Sequence, residues 1–523
     1  MTNAILRGKP DAGNPHVRFD EGEVASAKPR RGSLLYKKET MKRGLLVVAL
    51  CGLCGSVRSA DIRGDGVTLD SPAIQRAIDE MSARGGGVVS LPKGVYLCGT
   101  ILLKDGVTLD LAEGAVILGS TNASDYARMD GAWFMRGSTF ALVGATNAVN
   151  VGLTGKGVID GRGEGFPGPR TTYSDFARWE KQGGFGVRPR LVQFYRTRGI
   201  RVEGVRMRQS ASWTFFLREC EDVVVRGIQI RSHAYFCNDG IDIEAKRVLI
   251  EDCDIDANDD AICPKSHNPD FCVEDVEVRN CRIASNCSAI KFGTKNRGGF
   301  RNFNIHHCTI IPSSEDDPIA VSSRRWTDKK TGRACYDSYG RTDWRYGLEG
   351  IAFECVDAGF CENIHIHDLT IEGMMCPFFV RVGLREPPRH EGASIRNVLI
   401  EDIRATKEGP EACSVTGVPG RRVQGVTFRN ITLMSKGLPA RFRSRLEKPV
   451  PEMEGAYPQY SMFKHPLPAW GFYLRHADGI RFENVTMRLM AGESDERPAF
   501  FEDDAMATVW APDMTGAAPG SPR

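Results

Sequence analysis

The stretch between residues 237 and 266 concentrates side chains that can do acid–base chemistry. It reads CNDGIDIEAKRVLIEDCDIDANDDAICPKS and contains seven aspartates and two glutamates. Clustered carboxylates raise one another's proton affinity, so one can stay protonated as an acid while a neighbour stays ionised as a base. The stretch therefore has the residue types for general acid–base catalysis.

The elements that must position these carboxylates recur along the chain. From about residue 150 the sequence keeps returning to alternating apolar residues, as in VVVRGIQI, VLIEDCDI, VEVRNCRI and IHIHDLTI. One apolar site of the repeat holds, in turn, Val205, Ile228, Cys253, Cys281, Cys308, Leu369, Ile403, Ile431 and Val485. A period of two indicates strands, and a recurrence of roughly 20–50 residues indicates a solenoid. Coils of short strands must stack to bury their inward faces, which predicts a parallel β-helix.

The cysteines divide into two groups. There are 16 in the chain, and in an exported protein such a number suggests disulfides. Cys253, Cys281 and Cys308, however, occupy the repeat position that is otherwise aliphatic. We therefore expect these three to be small hydrophobic residues in an interior stack.

The first sixty residues differ from the rest. Residues 1–40 are polar and lack an apolar period, and we interpret them as a non-native or disordered extension. Met41 and a basic pair then precede a short uncharged apolar run, a pattern typical of a signal peptide over 41–59. The run is too short to span a bilayer. We expect translation from Met41 and a secreted or periplasmic product that has no membrane contact after cleavage.

Residues 60–510 are predicted to form one β-helical domain, followed by a disordered tail over 511–523. A short N-terminal helix is expected to begin at Asp70-Ser71-Pro72 and to cap the first coil, with apolar residues at 74, 78 and 81 and a glycine stop at 85–87. The net charge is only +3, and no basic cluster with interleaved aromatics occurs. Nucleic acid is therefore not expected as a partner, and we predict a monomer without cofactor or metal.

Four motifs in order resemble one known family. The region after residue 61 resembles the N-terminal part of the pectin-degrading hydrolases of the polygalacturonase family, glycoside hydrolase family 28. GVIDGRGEGF (157–166), NDGIDI (238–243) and NDDAICPKS (258–266) resemble that family's turn and two aspartate motifs. The resemblance extends to about residue 505. It implies an all-β fold, a right-handed parallel β-helix, and an inverting glycosidase that acts on an acidic, pectic polysaccharide or oligosaccharide.

The resemblance also implies roles for three aspartates. Asp259 would be the general acid, and Asp239 and Asp260 would hold and deprotonate the attacking water. Asp239 and Asp259 are 20 residues apart, close to one coil, so they could lie on neighbouring coils along one face. Inversion needs carboxyl groups separated by roughly 6.5–9.5 Å. For the other aspartates, Asp242, Asp252, Asp254 and Asp256, we favour turn capping or simple solvation.

The basic surroundings depart from the family pattern. CSAIKFGT (287–294) matches the segment in which the family has a histidine, but here Ser288 takes that place and Lys291 adds a cation. The family's Arg-Ile-Lys segment matches Arg381-Val382-Gly383, which keeps only the arginine. Substrate-binding candidates are Lys265, Lys291, Arg381 and Arg385. For Lys265 and Lys291, ion pairs with the aspartate cluster are an equal alternative to an anionic subsite.

Two further features leave alternatives open. Trp213 in SWTFF offers either a stacking face for a sugar or a core aromatic. The loop over 322–347, rich in Arg, Tyr and Trp, interrupts the repeat, and we expect it to overhang the groove and favour attack at chain ends. A polysaccharide lyase and a non-catalytic carbohydrate-binding solenoid remain the alternatives, because fold alone does not determine function.

Overall fold

The computed structural model describes residues 61–129, 139–168, 178, 188–235, 237–314, 326–327, 334–335, 343, 345–387, 394–439, 443, 446, 449–463, 466–510 and 513–515. The predicted extension over 1–40 and signal peptide over 41–59 lie outside these residues, as does most of the predicted loop 322–347. Beyond residue 510, the expected end of the domain, a short strand over Asp513–Thr515 still pairs with the strand before it.

The first part of the chain contains an α-helix among short strands. The elements are β1 (Asp65–Leu69), α1 (Ser71–Ala83), β2 (Gly87–Leu91), β3 (Gly94–Cys98), β4 (Ile101–Leu102), β5 (Val107–Leu111), β6 (Ala115–Gly119), β7 (Ala141–Thr146), β8 (Val149–Gly155) and β9 (Val158–Asp160). Two short 3₁₀ helices lie at Ala123–Asp125 and Gly163–Gly165.

The middle part contains the aspartate-rich coils. Its strands are β10 (Arg190–Tyr195), β11 (Arg198–Glu203), β12 (Arg206–Arg208), β13 (Phe215–Arg226), β14 (Gln229–Ser232), β15 (Ile241–Glu251), β16 (Asp254–Ala257), β17 (Ile262–Pro264), β18 (Val273–Arg279), β19 (Arg282–Ser285), β20 (Ile290–Phe292), β21 (Phe300–His306) and β22 (Thr309–Ile311).

The last part combines short strands with longer ones, one of which has 22 residues. They are β23 (Trp326–Thr327), β24 (Ala334–Cys335), β25 (Gly347–Cys355), β26 (Cys361–Val382), β27 (Ile395–Lys407), β28 (Cys413–Thr416), β29 (Val423–Gln424), β30 (Val426–Ser435), β31 (Phe472–Leu489), β32 (Phe500–Trp510) and β33 (Asp513–Thr515).

Each strand pairs in parallel with its equivalent on the next coil. Ile250 of β15 lies opposite Val225 of β13 on one side and opposite Val278 of β18 on the other. Except for the antiparallel pair β23–β24, all the strands above belong to one continuous sheet that winds from coil to coil. The fold is a parallel β-helix, as the repeat predicted.

The repeat column lines the interior of this β-helix. None of its nine residues, from Val205 to Val485, is more than 2% exposed. Cys253, Cys281 and Cys308 follow one another in the stack and are each 2% exposed, which confirms that they pack as small hydrophobic residues. The expectation of disulfides is wrong for the part of the chain that the structure describes, where the cysteines are free. Stacking at one repeat position places these thiols in the core without requiring pairs.

The capping helix forms where it was predicted. Ile74, Ile78 and Met81 are buried, and α1 packs against β2, β4 and β5 at the first coils. The carboxylate of Asp70 does not cap α1; it accepts hydrogen bonds from the amides of Arg63 and Gly64, at 2.7 and 3.0 Å. No helix in the described ranges is long and apolar enough to cross a membrane.

Asparagines stabilise the turns between strands. Asn302, Asn363 and Asn397 have φ angles of 57°, 56° and 52°, in the left-handed region that asparagine tolerates better than most residues. The side-chain amide of Asn363 donates to Asn302 at 3.3 Å, and that of Asn397 donates to Asn363 at 2.6 Å. Equivalent turns of successive coils are thus joined by side chains as well as by strands.

Candidate active site

Two of the predicted aspartates occupy equivalent places on neighbouring coils. The amide of Gly240 donates to the carbonyl of Asp260 at 2.8 Å, so the chain at Asp239 stacks directly on the chain at Asp260. One coil further, the amide of Ala261 donates to the carbonyl of Ser288 at 2.9 Å. The β-helix register therefore gathers carboxylates that are about one coil apart in the sequence.

The three aspartates differ in exposure. Asp239 is 3% exposed and Asp260 is 4% exposed, whereas Asp259 is only partly buried. Oδ1 of Asp259 accepts a hydrogen bond from the amide of Asp260 at 3.0 Å, which fixes the turn between the two residues. Asp259 is thus the member of the three that is most accessible to a molecule in solution.

Lys265 binds the first of these carboxylates. Its ammonium nitrogen lies 2.9 Å from Oδ2 of Asp239, 2.9 Å from Oδ1 of Asp242 and 4.0 Å from Oδ2 of Asp260. Asp242 is fully buried and forms part of this cluster, so the expectation that it caps a turn or is solvated is wrong. Its position on β15, opposite Cys263 of β17, turns its side chain toward Lys265 instead of into a turn.

Lys291 binds the second carboxylate. Its ammonium lies 3.2 Å from Oδ2 of Asp260, 3.4 Å from Oε2 of Glu354 and 3.2 Å from the hydroxyl of Tyr457. Of the two alternatives for Lys265 and Lys291, the structure places both in ion pairs with the carboxylate cluster. Substrate binding by either lysine remains a prediction.

Burial and the two lysines shift the pKa values of Asp239, Asp242 and Asp260 in different directions. Burial raises the pKa of Asp239 well above its ordinary value, and the neighbouring carboxylates add to this rise against the opposing charge of Lys265. Burial likewise raises the pKa of Asp242 to about 6. For Asp260 burial acts in the same direction, but Lys291 and Lys265 together outweigh it and lower the pKa. The cluster can therefore hold a proton at one carboxyl group while another remains ionised.

Several residues of the cluster were not found from the sequence. Glu349 and Glu354 are each 1% exposed on β25, and burial raises the pKa of Glu354 to about 8. Tyr457, from the segment 449–463, is 52% exposed and contacts Lys291. The one indication in the sequence was Lys291, because a buried cation in one coil requires an anion on a neighbouring coil.

Ser288, which stands where the family resemblance places a histidine, has a structural partner. Its hydroxyl donates to Oε2 of Glu349 at 2.8 Å, and the other oxygen of Glu349 accepts from the amide of Tyr460 at 2.7 Å. Ser288 and Glu349 thereby attach the segment around Tyr460 to the coil that carries Lys291.

Arg381 forms hydrogen bonds with backbone carbonyls in this structure. It is 1% exposed, and its guanidinium donates to the carbonyls of Gly417 and Glu452, both at 2.7 Å. Arg385 forms a two-point ion pair with Asp357, with nitrogen–oxygen distances of 2.6 and 2.5 Å. Substrate binding by either arginine remains a prediction, and it would require the side chain to exchange these partners for a ligand.

Trp213 lies within the cluster and is 7% exposed. The guanidinium of Arg190 lies 4.5 Å from its ring centroid and the ammonium of Lys265 lies 4.8 Å from it. His267 stacks on the same ring at 6.3 Å. The ring therefore supports the cations that hold the aspartates, and a stacking role toward a sugar stays a prediction.

One group of residues has the spacing of metal ligands. Ligand atoms of Asp259, Asp260 and Cys287 all lie within 4.8 Å of one another. The ammonium of Lys291 already lies 3.2 Å from Asp260 Oδ2, so we assign no metal to this group.

Comparisons with known proteins place the chain among glycosidases. The model of "Glycosyl hydrolases family 28" matches residues 88–334. A "Probable polygalacturonase" of Vitis vinifera is 24% identical over 404 residues, 71% of this chain and 72% of that protein. A "Polygalacturonase" of Ralstonia solanacearum is 32% identical over 246 residues, which span 44% of this chain and only 45% of that protein. The crystal structure of an exopolygalacturonase from Thermotoga maritima superposes with a TM-score of 0.54 at 24% identity, covering 72% of this chain and 85% of that one.

Proposed function

The chain belongs to glycosyl hydrolase family 28 and is a glycosidase, and from this premise we propose that it hydrolyses a galacturonate-containing, pectic polysaccharide or oligosaccharide with inversion of configuration. The relatives named above are polygalacturonases, and the similar solved structure is an exopolygalacturonase. Attack at chain ends is therefore part of the proposal.

The observation that supports this mechanism best is the cluster of Asp239, Asp259 and Asp260, in which the pKa of Asp239 is raised and that of Asp260 is lowered. Asp259, the partly exposed member, is proposed as the general acid that protonates the leaving oxygen. Asp260 is kept ionised by the two lysines and is proposed as the base that takes the proton of the water. Asp239, whose pKa is raised, is proposed to hold that water by a hydrogen bond.

The arrangement of the lysines disfavours the lyase alternative. A lyase requires a neutral base near the substrate to remove a proton from carbon. The pKa values of Lys265 and Lys291 are raised well above the ordinary value, because the attraction of the surrounding carboxylates outweighs the opposing effect of burial. Both lysines are thus held as ammonium ions and cannot accept a proton at neutral pH.

A panel of polysaccharides tests the proposal. Polygalacturonate, its esterified form, a neutral plant glucan and a sulfated glycan are incubated with the enzyme, and reducing ends and ultraviolet absorbance are followed together. We expect reducing ends from polygalacturonate, released mainly as short products, without the absorbance of an unsaturated uronate. Absorbance that rises with the reducing ends would identify a lyase, and no release from any glycan would support the non-catalytic alternative.

Export is proposed on the pattern over 41–59 alone. The natural host, or a bacterial host carrying the gene from Met41, should release a product whose N-terminus lies near Ala60. Protein sequencing of the secreted or periplasmic fraction tests this, and a product retained in the cytoplasm with its apolar run intact would contradict it.

A further inference from the structure

Glu354 is a buried carboxyl group next to the proposed catalytic cluster. It lies on β25, opposite Arg381 of β26, and is 1% exposed. Its Oε2 lies 3.4 Å from the ammonium of Lys291. Apart from that ion pair, no hydrogen-bond partner reaches either carboxyl oxygen among the described residues. A buried carboxylate in such a site is strongly dependent on the one cation it faces.

Lys291 links this carboxyl group to the partly exposed side chain of Tyr457. The ammonium of Lys291 donates to the hydroxyl of Tyr457 and forms ion pairs with Asp260 and Glu354. Lys291 is 3% exposed, whereas Tyr457 is 52% exposed. A ligand that displaced the phenol would therefore reach the ammonium.

The other charged or titratable groups around Glu354 are Asp260, Glu349 on the same strand, Tyr457, Arg381 and Arg385. Asp260 and Tyr457 share Lys291 with Glu354. Arg381 donates to backbone carbonyls and Arg385 is paired with Asp357. Lys291 is therefore the cation on which the charge of Glu354 acts directly.

We propose that Glu354 determines specificity by competing with the carboxylate of the substrate for Lys291. The inference rests on the proposed function, since it assigns the contact that recognises a uronate. When Glu354 carries a proton, the ammonium of Lys291 can form an ion pair with the carboxylate of a uronate that enters beside Tyr457. When Glu354 is ionised, its carboxylate pairs with the ammonium of Lys291, and the attraction between that ammonium and the uronate carboxylate is weakened. Burial, which raises the pKa of Glu354 to about 8, places this change at mildly alkaline pH.

Binding measurements in an Asp259→Asn background isolate this contact from turnover. Affinities of a galacturonate trisaccharide and of its uncharged amide are measured by calorimetry at pH 7 and pH 9, with and without Glu354→Gln. We expect the affinity of the acid to fall about tenfold between these pH values, the equivalent of one charge-assisted hydrogen bond. With Glu354→Gln the fall should be less than about twofold, and the amide should show no such dependence in either protein.

A matched control removes another buried glutamate. Glu411 is 1% exposed and accepts from the amide of Leu467, and among the described residues it is not an ion-pair partner of Lys291, so Glu411→Gln should keep the pH dependence of the parent. A fall for the acid that is as steep with Glu354→Gln as without it would overturn the proposal, and so would equal affinities for acid and amide at pH 7.

Lys291→Gln provides a second route if Glu354→Gln does not fold. This variant should lose the preference for the acid over the amide and its pH dependence together, and a preference that survives would overturn the proposal. A failure of the proposed function would give a different result. In that case the protein with Asp259 intact would release no product from polygalacturonate, whatever the binding results show.

Discussion

The ammonium nitrogen of Lys265 lies 2.9 Å from Oδ2 of Asp239, and both side chains are less than a tenth exposed. A buried ion pair of this kind adds little net stability, but removal of one partner leaves an uncompensated charge. Here Asp242 shares the same ammonium, so the loss of Lys265 would remove the ion-pair partner of two buried carboxyl groups.

We therefore predict that Lys265→Met lowers the free energy of unfolding by about 3–5 kcal/mol and abolishes turnover. Urea unfolding followed by circular dichroism measures the first effect, and reducing-end release measures the second. Lys246→Met serves as a control, because Lys246 pairs with Glu274 at 3.0 Å in a more exposed setting, and its loss should cost less than about 1 kcal/mol. Equal costs for the two variants would contradict this account of the cluster.

Asp259→Asn should remove the general acid without disturbing the fold. The side chain is partly exposed, and the hydrogen bond that its Oδ1 accepts from the Asp260 amide can be kept by an asparagine oxygen. We expect a loss of about 10²–10⁴-fold in kcat with an unchanged thermal midpoint. Asp270→Asn, at an exposed position after the same motif, should retain full activity. A fully active Asp259→Asn enzyme would remove Asp259 from the mechanism.

Asp256 should make the stability of the β-helix depend on acid pH. Its carboxylate lies 3.1 Å from Nε2 of His233 and accepts from the hydroxyl of Ser313 and the amide of Ser314, at 2.5 and 2.8 Å. Burial opposes ionisation, but these partners outweigh it and lower the pKa of Asp256 below its ordinary value of 3.8. Because the folded-state pKa is lowered, the stabilisation is complete above the unfolded pKa and is lost as the pH falls through the folded one.

Asp256→Asn is therefore predicted to cost about 2–4 kcal/mol at pH 7, with a smaller difference from the parent below about pH 4. Urea unfolding of both proteins from pH 7 down to pH 3 measures this difference. A difference that stays constant over that range would show that the charge of Asp256 does not stabilise the turn at Ser313.

The interior position of Cys281 leads to a contrast between two substitutions. Cys281 is 2% exposed, between Cys253 and Cys308 of the stack. Cys281→Val should cost less than about 1.5 kcal/mol, whereas Cys281→Ser buries a more polar group in the stack and should cost about 1–3 kcal/mol, even though the carbonyl of Arg279 lies 3.2 Å from the present sulfur. Thermal unfolding of the two variants provides the comparison. Greater stability of the serine variant would contradict a hydrophobic stack at this position.

The sequence predicted the fold more completely than it predicted the site. Period-two alternation and one recurring apolar column were enough for the β-helix, because each coil repeats the same inward-facing positions. Helix α1 was also predictable, since Ile74, Ile78 and Met81 lie one helical turn apart. The disulfide expectation failed because composition gives the number of cysteines but not their places in the stack.

At the site, the sequence identified the three aspartates and the two lysines but not their partners. Asp242 looked like a turn residue until the register of β15 and β17 placed it against Lys265. Glu354 follows a long interruption of the repeat, and Tyr457 comes from outside the repeat. Spacing in the sequence carries no information on contacts made across such interruptions. Arg381 illustrates the converse, since the residue type suggested an anion ligand while burial directs its guanidinium to backbone carbonyls.

The anomeric configuration of the first product tests the proposed mechanism most directly. Proton NMR during the first turnovers of a galacturonate oligosaccharide distinguishes the two anomers before they interconvert. The roles proposed for Asp239, Asp259 and Asp260 predict that the α-linked sugar is released as the β-anomer, because water attacks from the face opposite the leaving group. Release of the α-anomer would mean retention through a covalent intermediate and would contradict the roles assigned to these three aspartates.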